Sequence, residues 1–369
     1  MSKLLLFFLL LSFKVVFAQT SKERLQHKLD SLRMVGNYPG ISVAIADKNG
    51  ITAFTSGYSD KEKNIVLIDK HMLMQGSVGK TYVSAVALKL IKQGKLNLNE
   101  KISKYLGDLP WYNKIPNADA ITVRQIMNHT SGVMRYEFKP DFINDINAHP
   151  EKTWKPEELL SYVLNEKASF AAGEDWEYSD TNYILLGMII EKITGKKYYQ
   201  VLEEWILKPY GLTQTKPTDK KTLPGLAQGY AGVDNGFVKD EKVLKDDGSF
   251  IINPQFEWTG GGIYSTTSDL AKWGKLLYEG KVIDTSLLLN GAVKAKLGRD
   301  AMYGLGVIIR PTTLGNAYGH SGFFPGYLTE MTYFPLKQIC IAVQANSSDI
   351  KNIKMGLSRI LLELIKDYE

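Results

Sequence analysis

Strand-like stretches stand at both ends of this chain, with helical ones between them. Near the start, Ile41 to Ala46 and Ile51 to Ser56 flank Asn49-Gly50, a strong hairpin signal. Far along the chain, Gly304 to Arg310, Tyr318 to Gly322, Tyr327 to Phe334 and Gln338 to Gln344 follow one another across short turns, as in an antiparallel meander. An isolated hairpin is marginal in water. The two sets are therefore expected to form one lobe, made by both chain ends. The fold class expected is α+β: an antiparallel sheet flanked by helices, with an inserted all-helical lobe. The lobe boundaries read as about 19–97 plus 258–369 for the α/β part and about 98–257 for the helical part.

Helix signals fill the rest. Thr20 to Val35 is amphipathic, with Thr20 and Glu23 as a capping box. A helix is expected from Ser77 to Gln93, stopped by Gly94. Thr122 and Gln125 form a second capping box, on a helix running to Asn128. Pro156 to Asn165, Asp180 to Ile193, Lys196 to Leu207 and Thr267 to Tyr278 are further helices. Ile353, Leu357, Ile360, Leu361, Leu364 and Ile365 line one face of a closing helix. Residues 213–250 are rich in turn formers and charge, and read as surface loops with a short hairpin.

Residues 1–18 have the pattern of a signal peptide: Lys3, an apolar run from Leu4 to Phe13, and Val16-Phe17-Ala18 as the cleavage site. An uncleaved anchor is the alternative. Export to a periplasmic or secreted location follows, and no other stretch is suited to crossing a membrane. Net charge is +6 with scattered lysines, so no basic block points to nucleic acid. Cys340 is the single cysteine, in a stretch that reads as a buried strand, which excludes an intramolecular disulfide. The five histidines lack metal-ligand spacing. No cofactor and no metal are expected, and the chemistry falls to side chains.

Three motifs carry it. In the first, Ser77 and Lys80 lie three residues apart at a helix start, on one face. A serine hydroxyl needs a base to become a good nucleophile, and a lysine in a dry, positively charged site can have the lowered pKa that suits one. Gly79-Lys80-Thr81 mimics the end of a phosphate loop, but Met74 stands where that motif needs glycine. In the second, Tyr178-Ser179-Asp180 precedes a long apolar helix with Ser179 as its cap, leaving the Tyr178 phenol at the mouth. A neighbouring Lys⁺ is expected to pull its pKa down. In the third, His320-Ser321-Gly322 lies on an edge strand that a substrate backbone can approach, with the Phe323 and Ser77 amides as oxyanion donors.

In this order and at these separations, the three motifs resemble the serine β-lactamase and penicillin-binding protein superfamily, in its class C β-lactamase-like branch of carboxypeptidases, D-amino-acid amidases and esterases. The likeness also includes Ile121 to Gln125 leading to Asn128-His129-Thr130-Ser131-Gly132, and Gly260 to Leu270. The resemblance implies Ser77 as acylated nucleophile, with Lys80 as its proton acceptor or tuning group. It implies Tyr178 as the acid or base serving nucleophile and leaving group. Asp180, His320, Ser321, Gly322 and Phe323 would border the substrate. Two departures point away from strong β-lactam hydrolysis. His320 stands where class C enzymes have lysine, and Asp180 stands where asparagine is usual. His129 reads as satisfying a helix end, and Gly260-Gly261-Gly262 as permitting close backbone packing.

The expected activity is that of an exported serine hydrolase acting on an ester, a D-amino-acid peptide or a related amide. A non-hydrolytic penicillin-binding receptor or scaffold of the same fold is the alternative, and a true β-lactamase a weaker one. The substrate is a small molecule or peptide.

Overall fold

The computed structural model describes residues 21–233, 235–298 and 300–368. The signal peptide expected over 1–18, and the Thr20 cap, lie outside the described residues. Twelve strands are present among them: β1 Gly40–Asp47, β2 Gly50–Asp60, β3 Ile65–Val66, β4 Leu73–Met74, β5 Thr215–Pro217, β6 Ile263–Ser265, β7 Val293–Lys294, β8 Met302–Tyr303, β9 Ile308–Thr312, β10 Gly315–Phe324, β11 Tyr327–Phe334 and β12 Ile339–Ala345. Nine of them form one antiparallel sheet in the order β3-β2-β1-β12-β11-β10-β9-β8-β7. The N-terminal hairpin joins the C-terminal meander through β1 and β12, with Ile41 opposite Ala345 and Ile45 opposite Ile341. β4, β6 and β5 form a separate three-stranded sheet.

Helices cover both faces of the large sheet, so its central strands lose the alternation of a half-solvated sheet. Every residue of β12, and of β1 up to Ala46, is buried. On one face the helices Ser21–Gly36 and Leu357–Lys366 bury Leu25, Leu29, Ile360, Leu361 and Leu364 against Val43, Ile341 and Val343. Each such aliphatic side chain contributes about 1.5–3 kcal/mol. On the other face lies the helix Thr267–Tyr278, where Gly274 leaves room for Met331 and Cys340. Cys340 is a free, fully buried thiol, and burial pushes its pKa up. Trp273 of this helix stacks on Tyr82 at 4.1 Å between centroids and donates its indole N–H to Thr81 at 2.8 Å. That contact fixes the helix carrying Lys80.

Two departures from the sequence expectation concern element type. The stretch expected to be all-helical includes β5, and part of it reaches back to the sheet: Tyr230 bridges Ser347, and the Gln228 N–H bonds to Ser59. Ser77 is not in an α-helix. It lies in a 3₁₀ turn, Gly76–Gly79, and the α-helix spans Lys80–Lys92. The tighter turn follows from Gly76 at φ +51°, a conformation only glycine adopts readily.

Candidate active site

The turn and the helix that follows it set Ser77 and Lys80 in different surroundings. Ser77 is partly open to solvent, whereas Lys80 is fully buried. The Lys80 ammonium donates two hydrogen bonds and makes one ion pair. It donates to Ser77 Oγ at 3.1 Å, lies 2.6 Å from Asp180 Oδ1, and donates in a close contact to the Gly260 carbonyl. Burial alone pulls the Lys80 pKa down, but the charge of Asp180 beside it outweighs that, and the net shift is upward. This corrects the expectation of a lowered lysine pKa. The site is dry but negatively charged around Nζ, so the ammonium is the resting form.

Asp180 reaches Lys80 because it opens the helix Asp180–Thr194, with Ser179 at the cap position. The Ser179 hydroxyl does not cap the helix and instead donates to the Met134 carbonyl at 3.1 Å. Tyr178 thereby stands just outside the helix, its ring 4.9 Å from Lys80 Nζ. Its hydroxyl is buried and makes no standard hydrogen bond, yet Ser77 and Lys80 lie near enough to favour its ionised form. Burial nonetheless prevails over the pull of Lys80, and the phenol is pushed up rather than down. The expected fall in the Tyr178 pKa is therefore reversed: a buried phenolate loses more hydration than one adjacent cation returns.

His320 is placed differently from the expectation of a substrate-facing ring. It is 1 % exposed, with Nδ1 2.7 Å from the Ser321 carbonyl and Nε2 2.9 Å from the Tyr303 hydroxyl. A carbonyl only accepts, so Nδ1 carries the proton and Nε2 accepts from Tyr303. Burial and then Lys80 lower the His320 pKa to about 3, and the ring is neutral. Neither ring nitrogen is left for a substrate carboxylate. Ser321 lies on the opposite face of β10, where its Oγ accepts from Arg310 at 2.9 Å, and Arg310 pairs with Glu330 at 3.1 Å. The structure does not bring that hydroxyl to Ser77.

The backbone of β10 is what reaches the Ser77 turn. A Cβ on Gly322 would stand 1.9 Å from the Gln75 carbonyl oxygen and 3.3 Å from the Ser77 nitrogen. Gly322 thus makes room for the Ser77 turn rather than for substrate. A Cβ on Gly76 would in turn stand 2.8 Å from the Phe323 nitrogen. β9 pairs with β10 only up to Gly319, opposite Ile308, which leaves the edge from His320 to Phe324 unpaired on that side among the described residues. Pro325-Gly326 forms a two-residue turn closed by Phe324 and Tyr327, and the next pair is Phe323 with Leu328. By antiparallel alternation the Phe323 N–H then points away from β11, towards the open edge. The Ser77 N–H belongs to a first helical turn, where amides lack a partner within the helix. Two such donors beside a nucleophile can receive a carbonyl oxygen.

Sequence reasoning passed over several neighbours. The Arg135 guanidinium lies 5.5 Å from the Tyr178 ring and pairs with Glu137 at 2.6 Å. Burial first, then Asp180, raise Glu137 to about 7 and Glu257 to about 8. Nothing in the local sequence around these residues marks them out. The Gly260-Gly261-Gly262 run did carry a signal: Gly261 packs against the Gly76 carbonyl, and Gly260 supplies the acceptor for Lys80. His129 does more than finish a helix. Its Nδ1 accepts from the Ser179 N–H at 3.3 Å, and its ring lies 4.3 Å from that of Tyr178, so it steadies the second motif. Among the described residues no group of three or more His, Cys, Asp or Glu is arranged to hold a metal ion. No helix among them is long and apolar enough to cross a membrane.

Comparison with known proteins places this geometry among relatives. A family model described as Beta-lactamase matches residues 24–359. Penicillin-binding protein 4* of Bacillus subtilis (strain 168) is 25% identical over 327 residues, covering 85% of this chain and 69% of its own length. A D-amino acid amidase from Ochrobactrum anthropi SV3, solved with L-phenylalanine amide, shares the fold with a TM-score of 0.80 at 24% identity, over 94% of this chain and 99% of that one. A D-stereospecific amidohydrolase from Streptomyces sp. shares it with a TM-score of 0.77 at 24% identity, over 92% and 96%.

Proposed function

Because this chain belongs to the beta-lactamase family of serine hydrolases, we propose that Ser77 is its acylated nucleophile and that its substrate is an ester or amide of the D-amino-acid type, not a β-lactam. The observation that carries this reading is the engagement of Lys80 by Ser77, Asp180 and Gly260 beneath a partly open serine. An ammonium has no lone pair with which to take a proton from Ser77. Tyr178, protonated and next to both, serves instead as a neutral relay. As Ser77 Oγ bonds to the substrate carbonyl carbon, its proton passes to the Tyr178 oxygen. The Tyr178 proton passes to the departing nitrogen or oxygen as that bond breaks, so no charge builds up on the phenol. The carbonyl oxygen is received by the Ser77 and Phe323 amides. Water repeats the sequence in reverse to free the product.

The substrate class follows from what surrounds these groups. Asp180 spends its carboxylate on Lys80 and has no N–H to offer an amide carbonyl, and His320 is neutral and enclosed. Both features support an ester or amide over a β-lactam with its carboxylate. The printed names of the structural relatives agree with an amide of D configuration. A panel of a D-amino acid amide, a D-Ala-D-Ala peptide, p-nitrophenyl acetate and nitrocefin tests it. Turnover of the amide or ester with slow or absent nitrocefin hydrolysis is expected. Nitrocefin as the best substrate overturns the class, and a stable adduct without turnover would mean a receptor.

Export is part of the same reading, supported by the charged, apolar and small-residue order of positions 1–18. N-terminal sequencing of protein recovered outside the cytoplasm should begin at Gln19. A chain that stays inside with Met1 intact would refute it.

A further inference from the structure

We propose that the polar hollow at the end of the sheet where β1 begins is a second binding site, and that it takes a small zwitterion: an amino acid or dipeptide with a free carboxylate, a free ammonium and an aromatic side chain. The proposal does not depend on the role of Ser77. β1 stands three strands from β10 in the sheet, about 14 Å away at the usual strand spacing. The hollow has a volume of about 350 Å³, within the roughly 300–1,000 Å³ of small-molecule sites. Two cations, Arg33 and Lys61, and two carboxylates, Glu241 and Asp349, line it. Among the described residues none of these four side chains lies in an ion pair, although opposite charges share one cavity. A ligand carrying both signs of charge would satisfy both sets at once.

Local anchoring keeps the charges from closing on one another. Arg33 donates from Nε to Ser56 Oγ at 2.9 Å and from Nη1 to the Tyr38 carbonyl at 3.1 Å. A guanidinium has five N–H groups, so three remain for a ligand. The Arg33 side chain lies across Gly57, where a Cβ would come within 2.9 Å of its Cδ, and the φ of +84° there suits glycine. Asp349 belongs to a different stretch, beyond β12. Its Oδ2 accepts from Asn352 at 2.7 Å, and Asn37 in turn donates to the Asn352 carbonyl at 3.1 Å. The guanidinium and the carboxylate are thus each fixed by neighbours of their own.

Three rings, Tyr38, Tyr58 and Tyr230, supply the rest of the wall's character. The Tyr230 hydroxyl donates to Glu62 at 2.7 Å and accepts from the Lys61 N–H at 2.8 Å, and Lys61 Nζ lies 5.7 Å from the ring centre. The Tyr38 hydroxyl donates to the Met355 carbonyl at 2.8 Å. Rings held in this way offer apolar contact at little entropic cost. A simple anion would meet Glu241 and Asp349 as like charges, and a simple cation would meet Arg33 and Lys61 so. A zwitterion places its carboxylate on the Arg33 fork and its ammonium on a carboxylate. The ends of a dipeptide are at most about 7 Å apart, short enough to lie within a hollow of this size. The charges are open to water and screened by salt, so binding is expected to be modest.

Calorimetric titration tests it with L-Ala-L-Phe, its N-acetyl derivative and its C-terminal amide, against the wild type, Arg33→Leu and Glu241→Gln. The parent dipeptide should bind the wild type with a Kd of about 0.1–1 mM. Removing either charge from the ligand should weaken binding about tenfold. Arg33→Leu should weaken the parent dipeptide about tenfold and leave the amide, which has no carboxylate to lose, unchanged. Glu241→Gln alters an exposed side chain, so it decides the matter should Arg33→Leu not fold; it should weaken the parent dipeptide and leave the N-acetyl derivative unchanged. Labelling Ser77 beforehand with a fluorophosphonate should not alter binding. No heat with the parent dipeptide at about 10 mM overturns the site. So does equal binding of all three ligands, or binding that Ser77 labelling abolishes, since the dipeptide would then occupy the catalytic cleft.

Discussion

Ser77→Ala should abolish both turnover and labelling by a fluorophosphonate probe, with activity falling by on the order of 10⁶-fold, the scale seen when a serine nucleophile is removed from a cooperating set. The fold should be almost unaffected. The Ser77 side chain is partly open, and its loss removes one hydrogen bond from Lys80 while leaving that ammonium its contacts with Asp180 and Gly260. Thermal stability should stay within about 0.5 kcal/mol of wild type. Mass spectrometry of the intact protein after probe treatment is the direct check. An adduct of unchanged stoichiometry in the variant would place the nucleophile elsewhere.

Lys80→Met should be damaging in two separable ways. It removes the charge beside the phenol and the donor to Ser77, so kcat should fall about 10²–10⁴-fold, the usual range for a positioned proton-transfer group. It also leaves the Asp180 carboxylate buried without its cation. Breaking a buried pair in this way costs about 3–5 kcal/mol, because the remaining charge has neither water nor partner. Glu257 does not make up the difference. With its pKa pushed up to about 8 by burial and by Asp180, it is mostly protonated near pH 7. The double variant Lys80→Met with Asp180→Asn should therefore recover much of the lost stability in urea unfolding but none of the activity. A single variant as stable as wild type, or a double variant no better than the single, would show that Asp180 and Lys80 do not depend on each other as the 2.6 Å contact requires.

Much of the architecture was legible before any coordinates. The hairpin at Asn49-Gly50 and three of the four late strands were found where expected, because period and turn chemistry are local properties, whereas the strand expected over Gly304 to Arg310 begins only at Ile308. The Thr122–Gln125 capping box is formed as read, with both reciprocal bonds present. Boundaries were less legible. The helix expected from Pro156 to Asn165 divides into an α-helix, Pro156–Leu160, and a 3₁₀ turn, Ser161–Val163. The 3₁₀ turn at Ser77 was likewise hidden, since the conformation of Gly76 is set by the Phe323 backbone lying across it.

The candidate site shows the same division more sharply. Sequence alone singled out the hydroxyl, the amine, the phenol and the strand that lies beside them, because each belongs to a motif with recognisable spacing. Their protonation states came only from the assembled structure. The shifts of Lys80, Tyr178 and His320 depend on burial and on charges carried by residues remote in sequence, among them Asp180 and Glu257. Local order along a chain encodes dihedral preference and periodicity, and these determined the elements and their sequence. Hydration lost on burial, and the electric field of distant groups, exist only once the chain has closed on itself. They decided which of the nominated side chains holds a proton, which is partly open to solvent, and which is sealed inside.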